Sequence, residues 1–456
     1  MNSETNRPIA RSKNRPIISL KIGQQALCAL LKEKSLLGPL HVMFRHLGYF
    51  FQLPFKGFAP YVVSGPQANR QVLVTERDRL NWRNPDPVTD LLCHGLLVTD
   101  GDEHDHLRSL MDTPLSPGHL PQYVDMILHH TERVSATWQD GQIVDMLVES
   151  RKIALLIIMD ALFGVDIYDD LPRLWTPILK AIEFISPGAW VFFRHLPHPS
   201  LKKYLTIIND DLYHIIANRR TAHSAPRTDL LQHLIDADLP DALIRDQMLT
   251  MLIAGHDTST ALLAWTFALL GQHPETLQQL TLELDQRLGA QPPAAPSGWQ
   301  PRLLDDVIKE SLRLYPPIHL GNRFTNKEMT FNGHTVSPGQ RLFYSIYLTQ
   351  RDPAQWDNPD SFCPERFSQG RKPAPFAFIP FGGGPRSCIG AAFSQVEARL
   401  VMARLLQTFH FTLTNPHIHA HMGATLEPRP GVMMKVTRRT NNFARNQQTS
   451  LNGQRV

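Results

Sequence analysis

A long apolar helix opens at Leu239-Pro240-Asp241, runs to about Gln272 and is ended by His273-Pro274. Proline lacks the amide donor and clashes with the preceding turn, so it brackets a helix rather than sitting inside one. A second helix follows to about Leu288, and another covers Pro301 to Leu314. Upstream, helical segments fill Glu103 to about Ile235, with breaks at Pro114 and Pro117, Asp140-Gly141, Pro187-Gly188 and Pro197-Pro199. Strand signals are short. Tyr61-Val62-Val63 reads as a strand before the turn Ser64-Gly65-Pro66, and Pro66 suits the first turn of the next helix. Phe324 to Tyr347 reads as short strands, with hairpin turn chemistry at Phe331-Asn332-Gly333-His334. A strand pair from Phe409 to Val436 closes the body. The pattern predicts a mainly α fold with small β-sheets.

Length suggests roughly three domains, but one large helical fold can use it all. The expected organisation is a mobile N-terminus over 1–15, one body over 16–437 and a disordered polar tail over 438–456. The Ala- and Pro-rich stretch Ala290 to Gly298 reads as a surface connection, because the chemistry below lies on both sides of it. The formal charge is +4, with basic and acidic residues interleaved, which speaks against a nucleic-acid footprint. Four cysteines, Cys28, Cys93, Cys363 and Cys388, match neither a zinc ribbon nor a redox pair. They are too sparse for a disulfide framework, so a reducing, cytoplasmic location is expected. No apolar run near the N-terminus reaches the ~20 residues of a membrane span. Ile17 to Leu37 is amphipathic and reads as a first helix packed on the body. No transmembrane anchor is expected.

The strongest chemical signal is Phe381-Gly382-Gly383-Gly384-Pro385-Arg386-Ser387-Cys388-Ile389-Gly390. Three glycines let a backbone take positive φ and approach a flat ligand closely. Helical periodicity resumes after Cys388, through Ala391 to Leu406, which sets the sulfur near a helix N-terminus, where a thiolate is favoured. A phosphate loop would need Lys-Ser/Thr after its last glycine, and that is absent. With this loop the chain resembles the cytochrome P-450 superfamily, from about Tyr61 to Met434. The resemblance implies the superfamily's fold: a large helical domain with a minor β-rich region, and haem b between the long distal helix and the proximal helix. Cys388 would then be the proximal iron ligand, with Phe381, Gly382, Arg386 and Gly390 around it.

The long helix carries Ala254-Gly255-His256-Asp257-Thr258. The small pair leaves room beside one face, and the Thr258 hydroxyl can bond the carbonyl of Ala254, which tends to bend a helix. In the family an acid–alcohol pair lies over the distal face of the haem and passes protons to dioxygen, which implies that role for Asp257 and Thr258. Glu310 and Arg313, three apart, share a helix face. The resemblance implies that they interlock with Arg366 of Pro364-Glu365-Arg366-Phe367 behind the cysteine loop. Cations for the two propionates would come from His104, Arg108, Arg323 and Arg386. Gln350 stands where many relatives carry His, at a structural position. Candidate pocket residues are Trp82, Leu92, Phe184, Ile253, Ala254, Ile318 and Ala424. They are mostly apolar, which suggests a lipophilic substrate.

These features imply a monooxygenase that hydroxylates or epoxidises a fatty acid, terpenoid or carotenoid-like compound. Electrons would come from NAD(P)H through a separate ferredoxin or flavodoxin type partner with its reductase, and a monomer is expected. An alternative is a peroxide-driven or rearranging haem-thiolate enzyme, but such relatives often lose the acid–alcohol pair. A non-enzymatic haem sensor is a more remote alternative, because no output domain is visible.

Overall fold

The computed structural model describes residues 19–53, 59–83, 86–186, 200–221, 227–293, 301–368 and 372–439. The polar ends over 1–15 and beyond 439, the breaks at Pro187-Gly188 and Pro197-Pro199, and the connection beyond residue 293 lie outside them. In chain order the helices are α1 (Leu20–Glu33), α2 (Leu37–Leu47), α3 (Pro66–Arg70), α4 (Pro87–Leu92), α5 (Gly101–Leu115), α6 (Val124–Ser135), α7 (Met146–Phe163), α8 (Leu171–Ile185) and α9 (Lys202–Thr221). They continue with α10 (Leu230–Asp236), α11 (Asp241–Gln272), α12 (Pro274–Leu288), α13 (Arg302–Leu314), α14 (Ile346–Thr349), α15 (Glu365–Ser368) and α16 (Ala391–Thr408). The strands are β1 (Phe50–Gln52), β2 (Tyr61–Val63), β3 (Leu80–Asn81), β4 (Ile143–Asp145), β5 (Leu320–Thr325) and β6 (Met329–Phe331). They continue with β7 (His334–Val336), β8 (Arg341–Ser345), β9 (Phe409–Leu413), β10 (His419–Met422), β11 (Leu426–Arg429) and β12 (Met433–Arg438).

The fold is mainly helical with small separate sheets. Helix α11 forms its axis. Its apolar residues are not confined to one stripe, and residues from Ile244 to Leu270 are buried around most of its circumference. A helix apolar all round has to be buried on all sides. It packs most extensively on α7 and also meets α9, α13, α16 and β11. This helical body holds the main hydrophobic core. A second core lies under the five-stranded sheet, ordered β1-β2-β8-β5-β3. Within that sheet only β2 and β8 run parallel, with Tyr61 opposite Leu342. A third, smaller core joins α1 and α2 to Phe51 and Val62.

Several local signals act as expected. Pro66 is the first residue of α3. Asn332 and Gly333, both at positive φ (49° and 82°), turn β6 into β7. Among the described residues of the amphipathic stretch Ile17 to Leu37 there is one helix, α1, which Lys34 stops in a left-handed conformation (φ 50°), and α2 begins only at Leu37. The single strand pair expected from Phe409 to Val436 is instead two pairings. β9 joins β12 and β4 in one sheet, while β10 and β11 make a separate hairpin with His421 opposite Glu427. Among the described residues no helix is long and apolar enough to cross a membrane.

Candidate active site

The cysteine loop is held by its backbone. The Cys388 amide donates to the Phe381 carbonyl (2.8 Å) and the Gly382 amide to that of Ile379 (3.0 Å). Gly382 and Gly384 have φ of 71° and 67°, which L side chains rarely adopt. At Gly384 a Cβ would also stand 2.4 Å from the Leu73 carbonyl oxygen, so only glycine fits there. Arg108 Nη1 donates to the Ser387 carbonyl (2.6 Å), which ties α5 to the loop one residue before the sulfur. Helix α16 starts at Ala391, three residues after Cys388. Cys388 has accessible surface although protein surrounds it, so the sulfur opens onto an interior cleft. Burial pushes its thiol up, while the Gly390 amide and the Arg108 guanidinium pull it down.

Behind the loop lies an ion-pair cluster in which Glu310 and Arg313 are fully buried and Arg366 is partly buried. Arg313 donates to both oxygens of Glu310 (2.7 and 2.8 Å), and Arg366 Nε donates to Glu310 Oε1 (3.0 Å). Arg313 also reaches the carbonyls of Gln350, Pro359 and Ser361, and the Cys363 amide donates to Glu310. One guanidinium thus pins the irregular segment Asp352 to Phe367 against α13. Gln350 extends the cluster: its amide donates to the Leu312 carbonyl (2.9 Å), and its oxygen accepts from the Ile379 amide (3.0 Å). Removing one partner of a buried pair typically costs ~3–5 kcal/mol. Arg313→Ala is therefore expected to yield little haem-loaded protein with a lowered unfolding temperature. Normal haem content and thermal stability would reduce the cluster to a surface-type bridge.

On the other side of the loop a cavity of about 450 Å³ is lined by Arg77, Trp82, Asp100, His104, Arg323 and Arg386, among others. Arg323 is 4% exposed, donates to the Asn322 carbonyl (2.7 Å) and lies 3.7 Å from the Trp82 ring centre. Among the described residues it has no carboxylate ion pair. Burial pulls its pKa down, which marks a cation short of compensation. Arg386 bonds the Thr99 carbonyl and Asp100 Oδ1 (3.0 Å). Burial lowers its pKa to about 10, against the pull of Asp100. His104 is buried with Nδ1 on Asp105 (2.8 Å). The structure therefore groups His104, Arg323 and Arg386, while Arg108 serves the loop. Trp82, read as a pocket residue, stands among the arginines.

On α11 the Thr258 hydroxyl donates to the Ala254 carbonyl (2.7 Å). Its proton is thereby committed and its lone pairs remain available to accept. The helix stays α-helical through this stretch. The room expected beside Gly255 is taken. A Cβ there would stand 2.6 Å from Ile158 of α7, so this glycine serves helix–helix approach. Asp257 is buried; its Oδ2 accepts from the Thr425 hydroxyl (2.7 Å), and its Oδ1 is 3.6 Å from Arg151 Nη2. Burial pushes its pKa up to about 6.

Of the candidate pocket residues, Leu92 and Ile253 are buried in the main core, and Phe184 and Ala424 are partly buried against it. Ile318 is 40% exposed. The Ala424 amide donates to the hydroxyl oxygen of Ser186, which caps the end of α8 (2.9 Å). Sequence reasoning missed Arg77 and Asp100 of the cavity, and also Glu397. Glu397 is buried on α16, accepts from Ser259 (2.7 Å) and is pushed up by burial to about 8, which favours its neutral form. Its signal was an acid at a core position of a helix, which is rare unless the group is paired or neutral.

Comparison with known proteins agrees with this geometry. The family described as Cytochrome P450 matches residues 28–435. The chain is 31% identical over 356 residues to "Putative cytochrome P450 137" of Mycobacterium tuberculosis, covering 75% of this chain and 72% of that protein. It is 30% identical over 421 residues to "Putative cytochrome P450 139" of Mycobacterium bovis, covering 87% and 96%. A third relative, "Putative cytochrome P450 138" of Mycobacterium bovis, is 31% identical over 83% of this chain and 86% of its own length. The chain belongs to the cytochrome P450 family, and is a haem-thiolate oxidoreductase of the oxygen-incorporating class.

Proposed function

We propose that this enzyme hydroxylates or epoxidises a lipophilic compound such as a fatty acid, terpenoid or carotenoid, with Cys388 on the iron and Asp257–Thr258 delivering protons. The residues fit haem b. A cysteine sulfur opens onto an interior cleft, and Arg323 is a buried cation without a carboxylate partner among the described residues. His104, Arg323 and Arg386 would hold the propionates, with Arg108 bracing the loop. Phe381, Gly382 and Gly390 would line the proximal side. When bound, the haem supplies the iron that takes up dioxygen and electrons, and its thiolate ligand favours O–O cleavage.

The observation that carries the reading is the acid–alcohol pair. Thr258 donates its own proton to the Ala254 carbonyl, so its hydroxyl oxygen is free to accept from a water and would hold it against α11. Asp257, buried yet with a pKa near 6, takes and gives a proton near neutral pH. A peroxide-driven enzyme has no use for that pair. Leu92, Ile253, Phe184 and Ala424 would present an apolar wall, which suits a lipophilic substrate.

Four free thiols suit a reducing, cytoplasmic setting. The proposal includes a separate ferredoxin or flavodoxin type partner with its NAD(P)H-dependent reductase. The test is a titration of fatty acids, terpenoids and carotenoids against the Soret band, which shifts when a substrate displaces water from the iron. Saturable shifts with such compounds are expected, and shifts with polar compounds alone would overturn the substrate class. Turnover should appear only when the partner and reductase are added, and should fall at high salt where charge steers docking. Robust turnover with the nicotinamide cofactor alone would refute the separate partner.

A further inference from the structure

Three buried ionisable groups converge on the middle of α11. His256 turns to α7, where its Nε2 meets the Arg151 carbonyl (3.2 Å), and burial lowers its pKa to about 3. Glu397 reaches Ser259 from α16. Asp257 faces both α7 and β11, and its surroundings are unequal. Oδ2 has the Thr425 hydroxyl, whereas Oδ1 is buried with no hydrogen-bond partner among the described residues. The nearest cation, Arg151 Nη2, stands 3.6 Å away.

Arg151 is engaged elsewhere. The same Nη2 donates to Glu427 Oε1, and Glu427 Oε2 accepts from Arg429 Nη2 (2.9 Å). Arg151, Asp257 and Glu427 have side chains 10%, 3% and 8% exposed, while that of Arg429 is 49% exposed. One buried guanidinium therefore serves two buried carboxylates, and Glu427 has the direct bond. Glu427 cannot easily drift. The neighbouring Leu426 carbonyl accepts from Trp265 Nε1 of α11 (2.7 Å), and the Leu426 amide donates to the Pro317 carbonyl (2.9 Å). The strand that carries Glu427 is thus fastened to the helix that carries Asp257.

We propose that Glu427 is a positioning residue for proton delivery: by holding Arg151 it keeps the guanidinium off Asp257 Oδ1 and leaves that oxygen free to take and release a proton. The proposal rests on the reading of Asp257 as the proton relay. A carboxylate bound directly by arginine is held ionised and gives up this function. Around Asp257, burial raises its proton affinity most, Arg151 lowers it, Glu427 raises it, and Thr425 and Arg429 lower it. Glu427 thus tunes the acid without touching it.

The test is an infrared titration of the haem-loaded protein, with the Asp257 carboxyl band assigned by its loss in Asp257→Asn. The wild-type midpoint is expected near pH 6. Glu427→Gln frees Arg151 for Oδ1 and should lower the midpoint by ~1–3 units, the range an adjacent arginine imposes. Arg151→Gln should raise it, and Glu427→Asp should restore a value near that of the wild type. Shifts of opposite sign do not arise from general loosening. An unchanged or raised midpoint in Glu427→Gln overturns the proposal, as does an unraised one in Arg151→Gln, should only that variant load haem. Turnover of Asp257→Asn separates the two readings. If it falls while Glu427→Gln shows no shift, the relay stands and the role of Glu427 is overturned. If it is unchanged while the midpoints shift, the relay itself is overturned.

Discussion

Cys388→Ser is expected to fold and to lose the carbon monoxide spectrum of the reduced haem-thiolate. The bonds that shape the loop use backbone atoms: the Cys388 amide on Phe381, the Gly382 amide on Ile379 and Arg108 on the Ser387 carbonyl. Gly384 keeps its close approach to Leu73 whatever stands at position 388. Serine therefore leaves the loop intact and removes the sulfur from the cleft. A serine hydroxyl has no thiolate character to push electron density onto iron. Haem retention should fall, because the cavity cations bind propionates but do not ligate the metal. The check is a reduced carbon monoxide difference spectrum with haem content measured on the same sample. Survival of the thiolate spectrum would remove Cys388 as the ligand.

Asp257→Asn is expected to slow the catalytic cycle by about 10²–10⁴-fold, the usual worth of a positioned proton donor. The substitution is nearly isosteric, and the amide oxygen can still accept from Thr425. It also replaces a buried acid by a neutral group, so burial does not oppose it. What is lost is a group that can take up and release a proton near neutral pH. Rate measurements in light and heavy water, under saturating substrate and partner, should show a changed solvent isotope effect. An unchanged rate and isotope effect would take Asp257 out of proton delivery.

Much of this architecture was legible because it depends on local chemistry. Pro240 and Pro274 bracket α11, Asn332-Gly333 makes its turn, and Thr258 bonds the carbonyl four residues back. Such effects act within one element and leave a periodic or positional mark. The Glu310–Arg313 pair was legible as a shared helix face, and Arg366 only through family resemblance. Other features had no local mark. Arg151 and Glu427 are 276 residues apart and meet because α7 and β11 both pack on α11. Trp82 reads as an apolar pocket residue until Arg323 is found against its ring. Gly255 looks like open space in a sequence, yet its neighbour Ile158 comes from another helix. The start of α2 was hidden because only three residues, the first of them Lys34 at positive φ, separate it from α1.

Product and hydrogen peroxide formed per electron consumed, for wild type and Thr258→Ala side by side, test the central claim most directly. Thr258 contributes a hydroxyl bonded to its own helix, so alanine should keep the fold, the haem and the substrate-induced Soret shift. Without that acceptor no water is held in place to pass protons, and electrons should leave as peroxide. The account predicts continued electron consumption, a larger peroxide share and a smaller product share in the variant. Hydrogen peroxide supplied from outside bypasses the proton step and should partly restore product. Equal product per electron in the two proteins would contradict the account and favour a peroxide-driven enzyme.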